Sequence, residues 1–144
     1  MASAHDVAAY ILHKQGRMST WKLQKLVYYS QAWSLVWDDG EPLFGERIEA
    51  WANGPVCPDL YRLHRKAFAV EDPWPKGDRN ALTASQQGTI DAVLGYYGKH
   101  TGHWLRELTH REDPWKLARR GVSPGAPSKA AITLASMSLY YGSL

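Results

Sequence analysis

The chain has 144 residues, the usual size of one domain, and can bury about two thirds of the surface that its unfolded form exposes. Hydrophobic residues make up 44% and charged residues 22% of the sequence, proportions that exclude a disordered or fibrous protein. The net charge of +3 comes from basic residues spread along the chain. Specific DNA-binding proteins usually concentrate their positive charge, so this balance gives little support for nucleic-acid binding.

The single cysteine and the N-terminal segment indicate a cellular compartment. Cys57 has no partner for an internal disulfide, which fits a reducing cytoplasm. Residues 1–9 lack a basic segment followed by an apolar one, and no apolar stretch is long enough to span a bilayer. We therefore expect a cytoplasmic protein without membrane contact.

Apolar residues at helical spacing predict two helices in the first quarter of the chain. The first extends from Ala4 to Gln15, with Gly16 just beyond its end. The second covers about residues 20–37, and its apolar and aromatic side chains lie on several faces. A helix of this kind needs neighbours on several sides, so we expect it to be buried at the centre of the fold.

The pattern changes after this central helix. Alternating apolar residues predict a small β-hairpin over about residues 41–53. Pro58 then starts a short third helix. Residues 69–83 form a long loop with Trp74 between two prolines, and this side chain either folds back as a lid on the core or contacts a partner.

The remaining sequence predicts further helices. Residues 83–98 and 101–108 form a helical pair or one kinked helix, residues 113–118 form a short helix, and residues 129–141 form the last one. No internal repeat or linker composition divides the chain. The expected fold class is mainly α (α+β), a compact single-domain helical bundle of residues 1–144 around the central buried helix, with a small β-hairpin.

Two groups of residues suggest enzyme chemistry. His103 and His110 could share a helix face and bind a metal, but their spacing matches no known zinc pattern. Cys57 lies just before a helix, where a thiol pKa falls, and His64 is the one base it could use. A cysteine packed as a small apolar residue is the commoner arrangement. A small hydrolase or metal-dependent enzyme using His103/His110 or Cys57 is the alternative from another class, and we expect no cofactor.

Basic residues cluster on the third helix at Arg62, Arg65 and Lys66. A solvated helix face explains this cluster as well as a nucleic-acid contact does, and neither a helix-turn-helix nor an RNA-stacking motif is recognisable. The seven Trp and eight Tyr residues allow both uses of aromatic side chains, in the core and at protein interfaces. Protein binding is the remaining function class, because it needs no conspicuous catalytic motif.

Three segments of the chain carry distinctive series of residues. The first reads KLQKLVYYSQAW from Lys22, the second WANGPV from Trp51, and the third LTHREDPW from Leu108. In this order they resemble the Panacea antitoxin family, also described as SocA-like or phage-associated GepA-like. The resemblance covers nearly the whole chain, and three ordered motifs are more specific than any one. The matching residues are Lys22, Leu23, Gln24, Lys25, Leu26, Trp33, Trp51, Gly54, Pro55, Val56, Tyr61, Thr109, His110, Glu112, Pro114 and Trp115.

The resemblance implies an antitoxin of a bacterial or prophage toxin–antitoxin system, a small cytoplasmic protein that neutralises a co-encoded protein toxin by direct binding. It also implies an alternative, in which the antitoxin is an adaptor that delivers its toxin to a cytoplasmic ATP-dependent protease. No enzymatic activity is expected in either case. Homo-oligomerisation stays open.

The motif residues are expected to build the scaffold, because most of them are apolar or aromatic. Toxin specificity is then expected on other parts of the surface. The candidates for toxin contact are the Trp74 loop, those of four tyrosines that are exposed, and the basic face of the third helix: Trp74, Tyr28, Tyr29, Tyr96, Tyr97, Arg62, Arg65 and Lys66.

Overall fold

The computed structural model describes all 144 residues, and it is mainly helical with two small antiparallel sheets. This architecture confirms the expected fold class. The helices are α1 (Ala4–Gln15), α2 (Thr20–Trp37), α3 (Pro58–His64), α4 (Ala84–Tyr97), α5 (Gly102–Arg111), α6 (Asp113–Ala118) and α7 (Leu134–Gly142), with a short 3-10 helix at Arg79–Ala81. The strands are β1 (Met18–Ser19), β2 (Glu49–Trp51), β3 (Gly54–Val56) and β4 (Ala69–Val70).

Helix α2 lies at the centre of the fold, as its sequence predicts. It begins at the Ser19 cap, whose hydroxyl accepts a hydrogen bond from the Lys22 backbone N–H. Thirteen of its eighteen residues are buried, including polar ones. Helices α1, α4, α5 and α7 pack around it. The apolar residues on several faces of α2 are therefore explained by neighbours on several sides.

The predicted hairpin is present, but its bounds of about 41–53 are wrong. Strands β2 and β3 pair antiparallel with Glu49 opposite Val56. The turn between them covers residues 52–53, which the sequence predicted as the end of the second strand. The preceding segment forms an irregular loop that buries Leu43 and Phe44. The Gln31 side chain accepts from the Leu43 N–H and donates to the Phe44 carbonyl, at 2.7 and 2.8 Å. A buried glutamine thus supplies the hydrogen bonds that a partner strand would otherwise give.

A second buried glutamine joins the central helix to the start of α3. Gln24 accepts from the Cys57 N–H at 2.8 Å and donates to the Cys57 carbonyl at 3.2 Å. Its amide nitrogen also lies 2.9 Å from His64 Nε2. This side chain therefore satisfies the backbone at the exit of the hairpin.

The C-terminal segment is held against β2. Arg119 is buried and donates to the carbonyls of Ala50, Ser123 and Ala126. Residues 129–132 run extended along β2, and the Ile132 N–H donates to the Ile48 carbonyl. The last helix therefore begins at Leu134, so the predicted start at residue 129 is wrong.

The long loop after α3 folds back on α1. Trp74 is only 6% exposed, and its indole N–H donates to His5 Nδ1 at 3.0 Å. Gly77 packs so closely that a Cβ on it would lie 2.6 Å from the His5 backbone carbon. The Asp78 N–H donates to the Asp6 carboxylate. Trp74 therefore folds back as a lid on the core, which is the first of the two interpretations given above.

Candidate partner-binding site

The three motif segments meet at Lys25 in the interior of the protein. Lys25 on α2 is completely buried. Gly54 on β3 has a φ of +117°, and a Cβ on it would lie 2.5 Å from Lys25 Cε and 3.2 Å from Thr109 Oγ1. Only glycine tolerates both this backbone conformation and this approach. The glycine of the second motif therefore leaves the space that the lysine of the first motif occupies.

The Lys25 ammonium group has no hydrogen-bond partner within the chain. Its nitrogen lies 5.3 Å from the centroid of the Trp21 ring, a cation–π contact. Desolvation, with a smaller contribution from the positive charge of Arg106, lowers the pKa of Lys25 to about 7. Burial of this group therefore opposes folding whenever the group is charged.

The third motif contacts the hairpin through aromatic side chains. The His110 and Trp115 rings stack at 3.8 Å, and the Trp115 indole N–H donates to the Trp51 carbonyl at 2.9 Å. Tyr61 packs edge-on against Trp51 at 4.8 Å. Burial, followed by the charge of Arg106, lowers the pKa of His110 to about 4. These motif residues make internal contacts between elements.

Glu112 of the third motif is the centre of a buried hydrogen-bond network. Its Oε1 accepts from the hydroxyl groups of Tyr29 and Tyr141 at 2.6 and 2.7 Å. The hydroxyl oxygens of Tyr28 and Tyr141 lie 3.0 Å apart. Burial raises the pKa of Glu112, and the two phenolic hydrogen bonds lower it by less. The network ties α2 and α7 to the end of α5.

The residues proposed for enzyme chemistry are not arranged as a catalytic site. His103 is exposed, whereas His110 stacks on a tryptophan. No three His, Cys, Asp or Glu side chains lie close enough together to hold a metal ion. Cys57 is buried, and desolvation raises the pKa of its thiol to about 11. Gln24 bridges the Cys57 backbone and the His64 ring, so this histidine is engaged with an amide.

Only part of the predicted contact surface is exposed. Tyr28, Tyr29, Tyr97 and Trp74 are buried, so placing these four side chains on an exposed contact surface is wrong. The three tyrosines pack their rings together and use their hydroxyl groups inside the protein, as in the 4.0 Å stacking of Tyr29 on Tyr97. Tyr96 is 65% exposed. The three basic residues of the α3 region are also exposed: Arg62, Arg65 and Lys66.

An apolar groove of about 520 Å³ opens beside Tyr96, between α2, α4 and the end of α5. Trp37 lies at its edge with 52% of its surface exposed, and its ring stacks on that of Trp33 at 5.0 Å. The half-buried Trp33 donates its indole N–H to the Tyr97 hydroxyl at 2.9 Å. The residues lining this groove are Trp33, Trp37, Ala92, Val93, Tyr96, Tyr97, Leu108, Glu112 and Leu144. We call this feature the Trp37 groove.

The sequence does not predict the Trp37 groove, because the whole helix of about residues 20–37 is expected to be buried. Helical periodicity does place Trp33 and Trp37 on one face. However, α2 ends at Trp37, where the neighbouring elements no longer cover that face. The available signal was a tryptophan pair at i, i+4 directly before the turn residues that end the helix.

A comparison with known protein families identifies the family of this chain. The model of the family described as antitoxin SocA-like, Panacea domain, matches residues 23–116, which is more than half of the chain. The protein therefore belongs to the SocA-like, Panacea-domain antitoxin family. No curated protein and no solved structure gives a significant match. None of the helices combines the length and the apolar character needed to cross a membrane.

Proposed function

We propose that this protein is a cytoplasmic antitoxin that neutralises a co-encoded protein toxin by direct binding, and that the toxin binds in the Trp37 groove. Membership of an antitoxin family supports a toxin as the partner. The observation that carries the proposal is the exposure of two large aromatic side chains, Trp37 and Tyr96, at the edge of one apolar groove.

Exposed tryptophan and tyrosine side chains at a concave site are typical of protein interfaces. They bury a large apolar area at a small entropic cost, and they are enriched among the residues that dominate binding free energies. The Trp37 groove has room for more than one side chain of a partner. Val93 and Leu108 provide apolar contacts inside it. We therefore place the main apolar contact with the toxin in this groove.

We further propose that residues 1–144 act as one antitoxin unit without enzymatic activity. The matched family segment ends at residue 116, yet Leu144 also lines the groove and Tyr141 on α7 binds Glu112. The C-terminal segment therefore belongs to the same functional unit. Membership of an antitoxin family supports a role without catalysis, and the raised pKa of the buried Cys57 thiol disfavours a thiolate nucleophile at this position.

Co-expression with the product of the adjacent reading frame tests the proposal. We expect the wild-type protein to restore growth and to be recovered in a complex, and Trp37→Ala with Tyr96→Ala to abolish both. Phe68→Ala is the matched control, because Phe68 is 95% exposed but does not line the groove. Restored growth together with loss of the toxin protein would favour the protease-adaptor mechanism. Failure to restore growth, with no complex, would refute the proposed function.

A further inference from the structure

We propose that the Trp37 groove recognises a lysine or arginine side chain of the toxin, held against the aromatic residues of the groove and neutralised by Glu112. This inference rests on the proposed function and specifies the chemistry of the partner. It combines two features of the same groove, namely its aromatic lining and its one ionisable carboxylate.

Aromatic side chains from two helices line the groove. Trp33 and Trp37 come from α2, and their rings are 5.0 Å apart with an angle of 26° between their planes. Tyr96 and Tyr97 come from α4, and their rings meet edge-on at 4.7 Å. The face of an aromatic ring attracts ammonium and guanidinium groups, most strongly when the cation is removed from water. The lining is therefore suited to a basic side chain.

Glu112 is the one charged residue that lines the groove. It is 6% exposed and forms no salt bridge. Its Oε1 accepts both phenolic hydrogen bonds, whereas its Oε2 accepts none from the chain. Burial raises the pKa of Glu112, and Arg111, which lies beyond salt-bridge distance, lowers it by less. The carboxylate therefore has an unused acceptor and no close counter-ion.

The position of Glu112 discriminates between possible occupants. A purely apolar side chain seated in the groove would remove Glu112 from water and leave its carboxylate without a new partner, which is unfavourable. An acidic side chain would add like-charge repulsion. A lysine or arginine side chain would provide donors to the carboxylate, and its aliphatic stem would contact Val93 and Leu108. A basic side chain is therefore the occupant that suits the carboxylate, the aromatic rings and the apolar lining of the groove.

A double-mutant cycle on the purified complex with the adjacent-frame product tests this inference. Glu112→Gln keeps an acceptor for the tyrosines but removes the charge, and we expect it to weaken binding by about 10–100-fold. Each lysine and arginine of the toxin is replaced in turn by methionine. We expect one such replacement to weaken binding to the wild-type protein by a similar factor, yet to have little further effect on the Glu112→Gln variant.

Melting temperatures show whether Glu112→Gln remains folded, and Trp37→Leu provides a second route if it does not. Trp37→Leu keeps an apolar side chain but removes the aromatic ring from an exposed site. The same toxin replacement should then lose most of its effect against this variant.

If Trp37→Ala and Tyr96→Ala abolish binding but no basic toxin residue couples to Glu112 or Trp37, the cation inference is wrong and the proposed function stands. If the two proteins form no complex, both proposals are wrong.

Discussion

Replacing Lys25 by methionine is expected to stabilise the protein, although lysine is part of the family motif. Lys25 is completely buried and its ammonium group has no hydrogen-bond partner. Methionine has a similar length and an apolar, flexible side chain, so it can occupy the space beside Gly54 without a charge. The change removes the cation–π contact with Trp21, which contributes about 1 kcal/mol, but it also removes the larger penalty of burying the charge.

The magnitude follows from the pKa of Lys25, which burial lowers from 10.5 to about 7. At 1.36 kcal/mol per pKa unit, the buried charge destabilises the folded state by about 5 kcal/mol below pH 7. Between pH 7 and pH 10.5 the unfolded state binds more protons than the folded state, so stability rises with pH. The penalty falls to about 1 kcal/mol at pH 10 because Lys25 is then neutral in the folded state.

Urea denaturation at pH 6 and pH 10 measures this effect. We expect Lys25→Met to raise the free energy of unfolding by about 2–5 kcal/mol at pH 6 and to give little or no gain at pH 10. Lys66→Met is the matched control, because Lys66 is exposed and the change should stay within about 0.5 kcal/mol at both pH values. A loss of stability at pH 6, or the same difference at both pH values, would refute the reasoning.

Three other changes test the interior around the motifs. Gly54→Ala should lower the free energy of unfolding by about 2–4 kcal/mol in urea melts, because alanine is strained at this positive φ and its Cβ would overlap Lys25. An unchanged urea melt would contradict this. Gln24→Leu should cost about 2–4 kcal/mol in the same assay, because it removes the hydrogen-bond partner of the buried Cys57 N–H and of His64 Nε2. A cost under about 0.5 kcal/mol would show that water replaces the amide. Native Cys57 should react with iodoacetamide at pH 8 far more slowly than the unfolded protein, because burial raises its thiol pKa to about 11, and equal rates would contradict the structure.

The sequence predicts the central helix well because its signal does not depend on distant residues. A helix with apolar residues on several faces can only be buried, and α2 is. Because apolar residues lie on several faces of this helix, its sequence does not indicate which of them reach the surface. Tyr28, Tyr29 and Trp37 all belong to this helix, but only Trp37 lies beyond its covering neighbours.

The errors in the small elements have a different physical origin. The segment expected as the first strand of the hairpin is instead irregular, and the backbone of its Leu43 and Phe44 is hydrogen-bonded by the side chain of Gln31 on another element. Strands β1 and β4 pair at a separation of about fifty residues, and two residues each carry no detectable pattern. Contacts between residues far apart in the sequence, such as the Gln31 hydrogen bonds and the β1–β4 pairing, produce no local sequence periodicity.

The Trp37 groove could be anticipated only in part. Tyr96 was expected on the contact surface, and it is exposed. Glu112 was expected in the scaffold, and it also lines the groove because Tyr29 and Tyr141 hold its carboxylate there. Which scaffold residues border an open cavity depends on how the helices pack, which local sequence does not encode.

The dissociation constant for the adjacent-frame product tests the central claim most directly, measured by calorimetry on purified proteins. We expect a complex with the wild-type protein and with the Phe68→Ala control, and a loss of at least about 100-fold in affinity for the variant carrying Trp37→Ala and Tyr96→Ala. Equal affinities for all three folded proteins would place the toxin elsewhere on the surface. No measurable affinity for the wild-type protein would contradict direct neutralisation.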